Sequence, residues 1–208
     1  MGSLTGTVII VATLVISALL IGVTIASVIT EETTGVTTED DFEKIVNEAV
    51  DEIATYIQIR DQKGKYYNIN GEQRIEKIVI LISPLVSQEI DVSQLTIQLC
   101  DGEQVRILTY DGNAESLDSN SVFEHPIWNN INGNNFGFIS IIDSDGSLVD
   151  YNALNDYSDN AYIVIRLPTD MTMEKYDKMA VTLFPATGIT RTTILEAPLP
   201  MKQVVTFE

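Results

Sequence analysis

Asp143-Ser144-Asp145-Gly146-Ser147, with Asp150 just beyond, is an oxygen-rich run of the kind that hard divalent cations bind. It makes Asp143, Asp145 and Asp150 candidate ligands for Ca²⁺ or Mg²⁺. The spacing is not that of an EF-hand, because the glycine comes too early and no glutamate stands at the twelfth position. Asp-Gly pairs also serve hairpin turns with no metal at all. The run therefore reads either as a cation loop or as a plain turn, and no cofactor is required by it.

Other reactive side chains stand alone. Cys100 is the single cysteine, which excludes an intrachain disulfide and a multi-thiolate metal site. It is expected to be a small apolar filler in a strand. His125 is the single histidine, too few for most His-based catalysis or zinc chemistry, and is expected to be an ordinary loop residue. Carboxylates are plentiful, but no nucleophile–base constellation accompanies them, and a surface charge excess explains them more simply. The chain is not expected to be an enzyme. It also contains no Asn-x-Ser/Thr acceptor for conventional N-glycosylation.

Charge is distributed unevenly. The first thirty of 208 residues carry no Asp, Glu, Lys, Arg or His, so the formal net charge of −18 falls wholly on the residues from Glu31 onward. Such an acidic body repels nucleic acid, whose phosphates need Lys and Arg partners. Val8 to Ile29 is an unbroken apolar and small-residue run, long enough as a helix to span a hydrocarbon core. It lacks the basic leading segment and cleavage site of a secretory signal. Ala18, Gly22 and Ala26 recur every fourth residue, a stripe that lets helix backbones approach closely. Thirty residues of helix, at about 1.5 Å each, would be roughly 45 Å long. A rod of that length without charge cannot stand alone in water and must lie in lipid or among copies of itself.

A second helical pattern follows Thr38. Phe42, Ile45, Val46, Ala49, Val50, Ile53, Ala54 and Ile57 fall at three- and four-residue steps, opposite a charged face. Thr38 is a plausible N-cap. Gly35 is compatible with a bend near residues 30–38 in one long helix or with a true break. These elements give a first region, residues 1–57, expected to be an N-terminal assembly helix.

From residue 58 to 208 the pattern changes to short strands. The expected strands are 75–83, 95–100, 105–110, 136–142, 161–167, 179–184 and 191–195, with 203–207 as an eighth. Turn signals separate them at Lys63-Gly64, Asp101-Gly102, Asp111-Gly112, Asp145-Gly146 and Thr187-Gly188. Strand number and spacing point to an immunoglobulin-like antiparallel β-sandwich of two sheets, so the fold class is α+β. Residues 112–135, rich in Asn and Ser, are expected to be an exposed excursion in which Trp128 is a local packing anchor.

The arrangement resembles the archaellins, the filament subunits of the archaeal swimming organelle. The likeness starts at Leu4-Thr5-Gly6-Thr7-Val8-Ile9-Ile10 and runs through the uncharged helix. It resumes at Ile75-Glu76-Lys77-Ile78-Val79-Ile80-Leu81 and Ile90-Asp91-Val92-Ser93, then at Ile142-Asp143-Ser144-Asp145-Gly146-Ser147 ahead of strand 161–167. It ends with Phe184-Pro185-Ala186-Thr187-Gly188 and the closing segment 198–207. The resemblance implies a type IV pilin-like route. A basic leader is removed by a membrane peptidase, subunits wait in the membrane with the folded domain outside, and an ATP-driven machine inserts them at the filament base. With no basic leader, the sequence reads as the mature form. Thr5 stands where bacterial type IV pilins carry an acidic residue. Gly6, Val8, Leu14, Ala18, Gly22 and Ala26 are then the helix-packing positions of a filament core. The expected partners are copies of the chain in an extracellular helical polymer, preceded by the membrane, with a second homologous subunit left open. An adhesive type IV-like pilus subunit and a membrane-anchored, non-polymerising envelope-binding domain remain the alternatives.

Overall fold

The structure, a computed structural model, describes Lys44 and residues 56–118, 121–186 and 188–207. The chain divides into two compact units, Met1–Val50 and Asp51–Glu208, and the fold described belongs to the second. The expected assembly helix, residues 1–57, lies outside the described residues except for Lys44, which is helical, and Tyr56 and Ile57, which are not. Among the described residues no helix is long and apolar enough to cross a membrane.

The elements in chain order are β1 (Ile57–Ile69), β2 (Glu72–Pro84), β3 (Ile90–Asp91), β4 (Thr96–Cys100), β5 (Val105–Ser116), β6 (Asn135–Ile142), a short helix α1 (Ser147–Tyr151), β7 (Ala153–Leu154), β8 (Asn160–Arg166), β9 (Lys178–Phe184), β10 (Arg191–Glu196) and β11 (Val204–Thr206). Nine strands form one sheet in the order β10-β9-β4-β5-β6-β8-β2-β1-β11, and β3 pairs with β7 as a separate ribbon. This corrects the expected two-sheet immunoglobulin-like sandwich. The ladder is never interrupted, because the β1–β2 hairpin continues it on one side and a parallel β5–β6 pair joins its halves in the middle.

The first strand of the long β1–β2 hairpin is absent from the expected strands, whereas β2 contains the expected strand 75–83. Ile57, expected to end a helix, opens β1 opposite Pro84. The turn is made by Asn70 and Gly71, both at positive φ, as a tight hairpin favours. Lys63-Gly64, expected to be a turn, lies in mid-strand. A side chain at Gly64 would stand 2.8 Å from Phe207 Cζ and 3.0 Å from Ile75 Cγ2. The glycine is there so that Phe207 can close over β1, fixed by its N–H donating to Gln62 O at 3.0 Å. The polar spelling of β1 reflects its place near the sheet edge, where β11 pairs only with Lys63–Lys65.

The larger core draws on every long strand: Ile78, Ile80 and Ile82 of β2, Ile97 and Leu99 of β4, Phe136 and Phe138 of β6, Ile163 and Ile165 of β8, Val181 and Leu183 of β9. The sheet curls around it until its distant ends touch. Thr193 Oγ1 of β10 donates to Gln62 Oε1 of β1 at 3.2 Å, and the Arg191 guanidinium lies 5.5 Å from the Tyr56 ring centre.

A second core occupies the opposite face. Val79, Ile139 and Val164 pack there against Phe123, Ile127, Trp128 and Ile131. The segment expected to be an exposed excursion is therefore a cover over the sheet, carried by two 3₁₀ turns, Val122–Glu124 and Pro126–Asn129. A parallel pair needs a long crossover, and this segment supplies it. It also accounts for the burial of β8 on both faces. Lys77 Nζ sits 4.7 Å over the Trp128 ring and donates to Phe123 O at 3.3 Å. His125 is buried, accepting from Ile127 N at 3.3 Å through Nδ1 and lying 3.1 Å from Ser116 O through Nε2. Trp128 is the packing anchor expected.

Gly64→Ala should lower the melting temperature of the full chain, as overpacking against Phe207 costs about 1–3 kcal/mol. In combination with Phe207→Ala the two losses should fall well short of additive, because both act on one contact. Additive losses would show that Gly64 serves some other purpose.

Candidate functional site

The loop from Asp143 to Gly146 leaves the end of β6 and enters α1. Gly146 takes φ +74 at the helix start, and Asn152 closes the helix at φ +58 with its N–H on Leu148 O. Leu148 and Leu154 are buried in the larger core, so the loop hangs from fixed points. Tyr110 OH donates to Asn152 Oδ1 at 2.7 Å and ties the helix end to β5.

Within this frame the carboxylates of Asp143, Asp145 and Asp159 converge, with one oxygen from each lying within 4.8 Å of the others. Two of the three ligands expected from the sequence are thus brought together. Asp150 is not among them. It sits on the first turn of α1, where its N–H donates to Gly146 O at 2.9 Å, and the buried Asp159 takes the third place. Asp159 arrives from the turn before β8, sixteen residues after Asp143, and no local spacing rule would have singled it out.

Each carboxylate is held by donors. Asp143 accepts from Ser147 Oγ at 3.3 Å and Leu148 N at 3.2 Å. Asp145 accepts from Asn155 Nδ2 at 2.7 Å and Ser147 N at 3.1 Å. Asp159 Oδ2 accepts from the backbone N–H groups of Asn155 and Asp156, both at 3.0 Å. These bonds divide the group electrostatically. The Asn155 amide first, then the Ser147 N–H, hold the Asp145 carboxyl down to about 2. Burial pushes Asp143 up, with the charge of Asp159 adding to it. Three carboxylates this close repel one another, and the geometry suits either a shared proton or an oxygen-seeking cation.

Another concavity is a cleft of about 590 Å³ lined by Arg106, Arg166, Glu76, Asn132 and Asn134, among others. Its cations already face carboxylates, Arg106 on Asp170 at 3.1 Å and Arg166 near Glu76 at 3.5 Å. Gly6, Val8, Leu14, Ala18, Gly22 and Ala26, the expected assembly positions, lie outside the described residues.

A family model for archaeal-type flagellin matches residues 2–194. The chain belongs to that family. Flagellin B3 of Methanocaldococcus jannaschii is 29% identical over 130 residues, covering 60% of this chain and 58% of that protein. Flagellin B5 of Pyrococcus abyssi is 30% identical over 114 residues, covering 52% and 51%. The chain thus spans between half and three fifths of the length of the curated relatives it matches. The crystal structure of archaeal flagellin FlaB1 from Methanocaldococcus jannaschii superposes with a TM-score of 0.65 at 19% identity, over 73% of this chain and 95% of that one. The archaeal flagellum of Methanospirillum hungatei strain JF1 matches over the whole of both chains, with a TM-score of 0.51 and 10% identity. At such identities the likeness is one of fold.

In chelator, Asp143→Asn should melt no lower than the parent chain, because it removes a charge that burial and Asp159 oppose. Asp145 has the opposite sign. Its folded pKa lies below the unfolded value of about 3.9, so its contribution is complete above that value and is lost as pH falls from about 4 through about 2. Asp145→Asn should flatten that limb of the acid melting curve, and an unchanged limb would show that these bonds carry no stability.

Proposed function

We propose that the chain is the structural subunit of the archaeal swimming filament, polymerising through its N-terminal hydrophobic helix and having no catalytic role. The observation that carries this reading is the extent of the family match, which takes in both the uncharged N-terminal run and the folded domain up to residue 194. An uncharged helical rod needs lipid or its own copies around it, and assembly exchanges the first for the second. Repeated contacts between unlike surfaces that do not close a ring produce an open helical polymer. The folded domain then forms an acidic outer layer that keeps filaments soluble and apart. Residues 1–57 are the assembly region in this reading, with Gly6, Val8, Leu14, Ala18, Gly22 and Ala26 at the helix contacts. The mature filament is at the cell surface and its unassembled subunit in the membrane.

We also propose that Asp143, Asp145 and Asp159 hold Ca²⁺ or Mg²⁺, which would offset their mutual repulsion and pin the start of α1. The support is the donor chemistry: hard carboxylate oxygens on a loop fixed at both ends, with one ligand buried.

Electron microscopy of material sheared from cells, carried far enough to trace the subunit, tests the polymer. Continuous filaments with residues 1–30 bundled on the axis are expected. Recovery of the chain only with the membrane fraction would overturn the reading in favour of an anchored envelope domain. Deletion should abolish swimming; loss of surface attachment with swimming intact would make the filament an adhesive pilus. Chelation should lower the melting temperature of parent filaments and leave Asp159→Asn filaments unmoved, whereas no shift in the parent rules out the cation.

A further inference from the structure

The outer face of the sheet is covered over β2, β8 and β6 by the crossing segment, but over β10, β9, β4 and β5 nothing in the described fold lies on it. The register fixes which side chains occupy this open quarter. Val105, Cys100, Ala180 and Ile194 form one row across the four strands. Ile107, Gln98, Thr182 and Thr192 form the next, and Thr109, Thr96 and Phe184 a third. The opposite faces of the same strands point into the larger core through Ile97, Leu99, Leu108, Val181, Leu183 and Leu195.

The three rows contain no Asp, Glu, Lys, Arg or His, on a chain whose formal charge is −18. Their large apolar members are open to water: Val105 and Ile107 are each 59% exposed, Ile194 is 61% exposed and Phe184 is 38% exposed. The hydroxyls are partly spent on each other, with Thr182 Oγ1 and Thr192 Oγ1 3.0 Å apart. Charge begins only at the rim, with the Lys178–Glu196 pair at 3.0 Å. Four strands spaced about 4.8 Å apart and three rows along them make a face of a few hundred Å². Isolated exposed apolar residues need no explanation, but a contiguous uncharged patch of this size marks a contact surface.

We infer that this face, on β10-β9-β4-β5, is a subunit–subunit contact seated against a second copy of the same chain in the polymer. The inference rests on the filament reading. Two bodies of net charge −18 repel wherever acidic surfaces meet, so the contact between neighbouring copies must fall where like charges are absent. An oppositely charged partner would find nothing here to pair with. The size of the face also fits this occupant. A stable free-standing dimer needs about 800 Å² per partner, more than this face offers, whereas a subunit already held at its N-terminal helix needs only a supplementary contact.

Cys100, in the middle of the first row and half-buried, is a native reporter. A maleimide should label it in the detergent-dispersed full chain about tenfold or more faster than in intact filaments, where labelling waits on local opening of the contact. Equal, fast labelling in both states overturns the inference, because the face is then open in the polymer. Equal, slow labelling overturns it as well, since the face is then covered within a single chain. Both results leave the filament itself standing, whereas a chain that forms no filament removes both proposals. Ile107→Glu supplies an independent measurement. Its filaments should fall apart at low ionic strength and recover as salt screens the introduced charge. Filaments of parental stability at every salt concentration would also overturn the contact.

Discussion

The larger core is lined by one sheet, and that constraint shapes most of the molecule. A flat sheet cannot bury its own face. Here the ladder runs unbroken through nine strands and curls until β10 meets β1 through Thr193 and Gln62. Burying side chains such as Ile80, Leu99, Phe138 and Ile163 stabilises the fold by about 1.5–3 kcal/mol each, and they are shielded by the curl together with Ile90, Val92, Leu148 and Leu154 from outside the nine-stranded sheet. The last residues act as a clasp. Tyr66 OH donates to Pro198 O at 2.5 Å, β11 pairs along the outer edge of β1, and Phe207 fills the space that Gly64 leaves.

The parallel β5–β6 pair is the second organising feature. It forces a crossover, and the crossover becomes the cover of the opposite face. A bulge lets it happen: the register shifts between Tyr110 and Ala114, with Gly112 at positive φ, while Asp111 accepts from Asn113 N at 3.0 Å and from Asn135 Nδ2 at 3.3 Å. Gly137 is required opposite, because a Cβ there would stand 2.8 Å from Asn113 O. Charged groups under the cover are kept in order by aromatic rings and a partner. Lys65 is buried and paired with Glu124, and Lys77 lies between Tyr67 and Trp128, its pKa lowered by burial.

Electrostatics connects the fold to the proposed assembly. An acidic outer domain is compatible with a crowded polymer only if charge is kept away from contacts and carboxylates are supported where they cluster. The uncharged rows on β10-β9-β4-β5 answer the first need. Around Asp143, Asp145 and Asp159, backbone and amide donors answer the second.

Much of the molecule is legible in its residues alone. The uncharged first thirty residues, the acidic remainder and eight of the strands come from composition and alternation, because burial and turn chemistry leave local marks in a sequence. Asp101-Gly102 shows why: Asp101 Oδ1 accepts from the N–H groups of Glu103 and Gln104, so the turn is specified by its own residues. What failed to show locally was set by distant partners. β1 reads as polar because only its pairing with β2 makes it a strand. Residues 112–135 read as an exposed loop because the surface they cover belongs to β2, β6 and β8. Asp159 could not be joined to Asp143 without the turn that brings them together. Whether strands form one curled sheet or two stacked ones is likewise invisible to alternation, since both bury every second residue. The sequence by itself determined eight of the strands, where charge is excluded and which family the chain resembles. Only the tertiary structure decided which strands are neighbours, which carboxylates meet and which face remains open, because those depend on closure between residues far apart in the chain.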